Sequence, residues 1–172
     1  REVKSKDLSF FISKTKKGTM GYTTDFNGQF KINQPLDDDT YNLLVGLNNT
    51  RRMKRNVSQT YGIEGEFYVE GSGDFGQGNE DNIIEYNTPP KTQPGLWCNW
   101  VPTEGRNYIE WDGGEKFYNY IEWIEYLIEK ILAPKNYILN GEVRWSGEDP
   151  SDNGVIIINN NTVKTKDNQY YG

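Results

Sequence analysis

The chain has 172 residues, a formal net charge of −6 and no histidine, with five Trp, twelve Tyr and seven Phe. Length and aromatic content suit one substantial domain with its own core, so no disulfide staple is needed. The missing histidine excludes His-based triads and imidazole metal sites, and the single Cys98 excludes an intrachain disulfide.

Charge is unevenly placed. Residues 1–19 carry six Lys or Arg against two acids, and the remainder carries 13 basic against 23 acidic residues, a formal −10. Residues 1–19 therefore read as a basic leader or appended extension, and 20–172 as a single domain. An acidic body opposes extensive nucleic-acid contact and anionic lipid, and suits a basic protein surface. No apolar stretch approaches the roughly 20 residues needed to cross a bilayer. The lone thiol fits a reducing, cytoplasmic setting.

In chain order, alternation of Phe26, Phe30 and Ile32 predicts a strand over 22–32, with Gly28 at a bulge or close contact. Asp37, Asp38 and Asp39 place negative charge at the start of a helix expected over 38–54, burying Tyr41, Leu44, Leu47 and Met53. Arg51, Arg52 and Arg55 then fall in its last turns. Tyr61–Glu70 reads as a strand with Ile63, Phe67 and Val69 inward, followed by a Gly-rich loop over 71–82. Short extended segments are expected at 83–86, 96–101 and 108–111, with a Pro-rich turn at 87–95. A long helix is expected from Asp112 to Leu132, because Phe117, Tyr120, Ile121, Ile124, Leu127, Ile128 and Ile131 recur at three- and four-residue spacings. Asp112 and Glu115 would cap it reciprocally, and Pro134 would end it. Strands over 138–145, 155–158 and 162–165 complete the chain, the last two joined by a tight turn at Asn159–Asn161. The fold class is α+β: a largely antiparallel sheet with two principal helices packed on one face.

Chemistry-bearing residues are sparse. Cys98 lies in LWCNW with no neighbouring base and reads as a small buried apolar residue. GSGDFGQG at 71–78 has phosphate-loop-like glycines, but it is acidic and no helix follows it. Glu148, Asp149, Asp152 and Asn153 offer oxygen ligands, but they lack the downstream bidentate Glu of a calcium loop and read as a hairpin turn. The anion-binding candidates are Arg51, Arg52 and Arg55, which could fork onto phosphate or carboxylate. Glu122, Glu125 and Glu129 share the polar side of the long helix and form the candidate interaction surface. No catalytic, cofactor-binding or metal-binding residue is assigned.

The segments MGYTTDFNGQF (20–30), TRRMKR (50–55), PGLWCNWVPT (94–103), IEWDGGEKFYNYIEWIEYLI (109–128) and YILNGEVRWSGEDPSDNG (137–154) carry a resemblance. Over residues 20–164 the chain resembles an uncharacterised family of small bacterial and phage-associated proteins. The resemblance implies a cytosolic accessory or counter-defence protein and supplies no catalytic residues. The expectation is a noncatalytic protein with a protein partner and no cofactor. The alternative is a small anionic-ligand-binding protein or a carboxylate-dependent enzyme, using Arg51 and Arg52 with carboxylates from 104–115 and 148–153.

Overall fold

The computed structural model describes residues 21–69, 77–78 and 80–167. The basic leader and most of the Gly-rich loop lie outside these residues. Eight strands and two main helices form an α+β fold. They are β1 (Thr24–Ile32), α1 (Asp38–Asn49), β2 (Lys54–Arg55), β3 (Ile83–Glu85), β4 (Trp100–Pro102), β5 (Tyr108–Trp111), α2 (Tyr120–Tyr126), β6 (Leu139–Gly147), β7 (Asn153–Asn159) and β8 (Thr162–Asp167). Six strands make one antiparallel sheet in the order β4-β5-β1-β6-β7-β8, and β2 and β3 make a separate two-stranded ribbon.

Period-two patterning decides which face of the large sheet is dry. Along β1, Thr24, Phe26, Phe30 and Ile32 are buried while Asp25, Asn27, Gln29 and Lys31 are exposed. Register carries the same division onto β6, where Trp145, Val143 and Leu139 pair with Phe26, Gly28 and Ile32. Ile156 and Ile158 of β7 continue the inner face. Both helices close over it, Leu44 and Leu47 from α1 and Trp123, Ile124 and Leu127 from α2 joining one core cluster. Aromatic rings dominate the centre. Phe26 packs against Trp100 and Tyr120 at centroid distances of 5.4 and 4.9 Å, in edge-on geometries that favour ring quadrupoles.

Two boundaries differ from expectation. The helix α1 begins as foreseen, with the Asp37 side chain accepting from the Thr40 N–H at 2.7 Å. It ends at Asn49, however, and Thr50 is extended. Asn48 ties this end down by donating to the Cys98 carbonyl at 3.0 Å and the Asp112 carboxylate at 2.8 Å. The arginines thus sit beyond the helix, on extended backbone whose N–H groups bond to distant loops. Arg52 N–H reaches the Leu96 carbonyl and Lys54 N–H the Thr88 carbonyl, at 2.8 and 2.9 Å.

The long helix likewise starts at Tyr120 rather than Asp112. Gly113, Lys116 and Asn119 all have positive φ, which no α-helix accommodates. Asp112 instead receives the Gly114 N–H in a local turn at 2.7 Å, so it does not cap α2. From Leu127 to Leu132 the helix continues in π geometry, and it leaves through a 3-10 turn at Ala133–Lys135. Pro134 therefore lies inside that exit, and Asn136 in left-handed conformation ends it. Where a strand is predicted at 61–70, 3-10 turns occupy Gln59–Tyr61 and Ile63–Gly65, with φ of 81°, 54° and 85° at Gly62, Glu64 and Gly65, and 66–69 form no strand; Glu70 lies outside the described residues. Ile63 is consequently 66% exposed, whereas Phe67 and Val69 do pack on the core.

Gly28 and Gly141 let β1 and β6 approach closely at the sheet centre. A Cβ at Gly28, whose φ is +119°, would sit 2.6 Å from the Glu142 carbonyl oxygen. Gly28→Ala should therefore lower the unfolding free energy by about 2 kcal/mol, combining left-half backbone strain with a backbone clash. Urea titration monitored by Trp fluorescence measures it, and an unchanged midpoint would refute the close approach.

Candidate interaction site

Thr50–Arg55 runs between α1 and a region whose described residues, 56–69, 77–78 and 80–99, have few backbone ladders of their own. Its buried carbonyls need donors from side chains. Arg52 supplies them: its Nη groups donate to the carbonyls of Tyr68, Glu66 and Gly65, and its Nε to the Gln93 side chain at 3.1 Å. Gln93 in turn donates to the Tyr126 hydroxyl at 2.7 Å, linking the region to α2. Burial pulls the Arg52 pKa down to about 10, so it stays cationic at neutral pH. Arg55 lies over the Tyr68 ring and donates to Glu80, Asn82 and Gln77. Arg51 lies over the Tyr86 ring and donates to its carbonyl and to the Asn87 side chain.

All three arginines are buried, with relative exposures of 1–3%. The structure therefore brings the anion-binding candidates together, but turns them inward onto loop carbonyls, side-chain amides and the Glu80 carboxylate. None of the three lines the cleft described below.

The segment that Arg52 pins, residues 59–69, forms one wall of a cleft of about 590 Å³. Tyr61, Phe67 and Val69 contribute this wall; Leu43, Asp39 and Asn42 come from α1 and Ile131, Lys130 and Pro134 from the end of α2. Gly46 admits the wall to α1, since any Cβ there would collide with Val69. The π segment and its 3-10 exit shape the opposite wall. Among the described residues, Asp39 is the only carboxylate lining the cleft. Lys135 is held by Thr40 Oγ1 at 3.0 Å, whereas Lys130 makes no hydrogen bond or ion pair.

Glu122, Glu125 and Glu129 are exposed along α2, as their spacing foresaw. Partial burial raises the Glu125 pKa, and its neighbours Glu122 and Glu129 add to the rise. The row thus holds like charge at a cost to the free protein. The remaining candidates are structural. In the 148–153 turn, Asp152 accepts from the Tyr22 hydroxyl and the Trp145 indole at 2.8 and 2.9 Å, and Glu148 accepts from the Thr23 N–H at 2.7 Å. Among the described residues no cluster of three or more potential metal-ligating side chains occurs. Cys98 is 1% exposed and faces the Trp100 carbonyl.

No protein-family model, curated protein or solved structure matches this chain. Among the described residues no helix is long and apolar enough to cross a membrane. Sequence reasoning missed the cleft, because its walls come from three separated segments whose meeting depends on Gly46 and Arg52. The only local signal was Gly46 within an otherwise good helix pattern.

Two measurements follow from this geometry. Arg52→Lys should destabilise the fold by about 3 kcal/mol, since a point charge cannot serve several carbonyls and leaves some buried and unsatisfied. Chymotryptic cleavage at Tyr61 or Phe67 should accelerate in parallel; a stability like that of the parent would refute the clasp. Glu125 has a raised folded-state pKa, so folding holds its proton more tightly and stability falls as pH rises through that pKa. Glu125→Gln should accordingly raise the melting temperature at neutral pH, with the gain vanishing once the acids are protonated. Thermal melts across the acidic range read this directly.

Proposed function

We propose that this chain is a noncatalytic protein-interaction module that receives an apolar segment of its partner in the cleft between α1 and the end of α2. The cleft itself carries the reading. Its walls offer Leu43, Phe67, Val69 and Ile131, with polar groups confined mostly to the rim. Apolar walls with a polar edge suit burial of a hydrophobic anchor. Interruption of α2 by π geometry beside the cleft supports the same assignment, since such interruptions concentrate at functional sites.

Glu122, Glu125 and Glu129 lie on the same helix as one cleft wall and complement a basic flank on the partner. Bringing a cation to this row relieves repulsion that raises the Glu125 pKa. Resemblance to small bacterial and phage-associated proteins fits an accessory or counter-defence role in the cytoplasm, and the buried thiol of Cys98 suits that reducing setting.

Leu43→Glu places a charge in the half-buried cleft wall without emptying the core. It should reduce quantitative capture of the partner from native lysate at least tenfold while leaving the far-ultraviolet spectrum unchanged. Replacing Glu122, Glu125 and Glu129 by Gln should weaken capture less and lower its salt dependence. Undiminished capture by Leu43→Glu would refute docking in the cleft. Recovery of a metabolite without protein would assign the same cavity to a small ligand.

A further inference from the structure

At the far edge of the large sheet, β8 pairs with β7 and, among the described residues, with no strand on its other side. Asn160 and Asn161, with φ of 48° and 69°, make the two-residue turn that joins them. The flanking pair Asn159 and Thr162 closes the ladder, so Thr162, Lys164 and Lys166 direct backbone groups to β7. Val163, Thr165 and Asp167 then direct their N–H and C=O groups to the open edge.

The side chains alternate in the other sense. Lys164 stands beside Ile157 and Lys166 beside Val155 on the outer face, while Val163 stands beside Ile158 on the inner face and packs against the core. Lys164 and Lys166 are exposed, and neither has a hydrogen-bonding or ionic partner among the described residues. On that face the nearest register-matched acid is Glu142, two strands inward beside Ile157.

We infer that β8 is a strand-addition site for an extended peptide bearing carboxylates two residues apart. Main-chain bonds to Val163, Thr165 and Asp167 would hold the added strand, and its carboxylates would stand opposite Lys164 and Lys166. Its alternate side chains would extend the inner apolar face beside Val163.

Charge selects this occupant over two others. An antiparallel second copy centred on Thr165 sets Lys164 against Lys166, and one centred on Lys164 sets that residue against itself. Like charges directly opposed across strands destabilise the pair. The chain's own residues 1–19 carry six bases against two acids, the wrong sign as a whole. The net negative charge of the chain does not cancel local selection, because exposed charges are screened over roughly 8 Å at physiological salt. This site is separate from the cleft and does not depend on it.

The test uses the full chain and two fluorescein-labelled, end-blocked peptides, one alternating Val with Glu and the other Val with Lys. Anisotropy should show saturable binding of the acidic peptide and at least tenfold weaker binding of the basic one. Bound acidic peptide should slow amide hydrogen exchange at Val163 and Thr165. The double variant Lys164→Glu, Lys166→Glu, altered only at exposed positions, should invert the preference, and Lys164→Gln, Lys166→Gln should abolish it. Absence of saturable binding, equal binding of both peptides, protection elsewhere than β8, or a preference that survives charge reversal would overturn the assignment. So would a dimer in sedimentation that β8 variants dissolve.

Discussion

One guanidinium, that of Arg52, lies where several otherwise independent pieces of chain meet. The described residues between α1 and β4 have few ladders, so their buried carbonyls call for side-chain donors. Arg52 gathers three consecutive-region carbonyls at 65–68, and through Gln93 and Tyr126 it anchors them to α2. A buried cation of this kind is tolerable only when its donors are almost completely used. The cleft, the placement of Val69 in the notch at Gly46 and the stacking of Arg55 on Tyr68 all follow from that fixed point.

The parts of the fold governed by period-two patterning were readable from the residues alone. Alternation at Phe26, Phe30 and Ile32 marks a dry face, and the structure places it there, joined by Val143, Trp145, Ile156 and Ile158, whose facing the sequence left open. The Asn159–Asn161 turn was equally legible, since consecutive asparagines tolerate positive φ. What escaped was set by tertiary demand. Arg51 to Arg55 fit a helix end by propensity, yet distant carbonyls draw them into extended backbone. Phe117 fits the helical stripe by spacing, but it reaches the core from an irregular turn forced by Gly113 and Asn119.

Candidate residues divide on the same line. The exposure of Glu122, Glu125 and Glu129 follows from helical geometry and was foreseeable. The burial of the arginines was not, because a basic run reads as surface until its acceptors are known. An acceptor set scattered between Gly65 and Gln93 leaves no pattern in sequence. The two proposed surfaces thus lie where patterning is silent, in a cleft between three segments and on a sheet edge that no described residue covers.

The position of β1 has a consequence for how the protein is made. It is an inner strand flanked by β5 and β6, and Leu139 is 107 residues downstream of its partner Ile32. A ribosome delivers residues at roughly 5–20 per second. For seconds after leaving the exit tunnel, Phe26, Phe30 and Ile32 therefore have no sheet to enter. By contrast β6, β7 and β8 form a meander of neighbouring hairpins that can assemble among themselves. The C-terminal meander becomes the template, and β1, the earliest of the described strands, is the one that must wait, in need of shelter by a holdase or another part of the nascent chain.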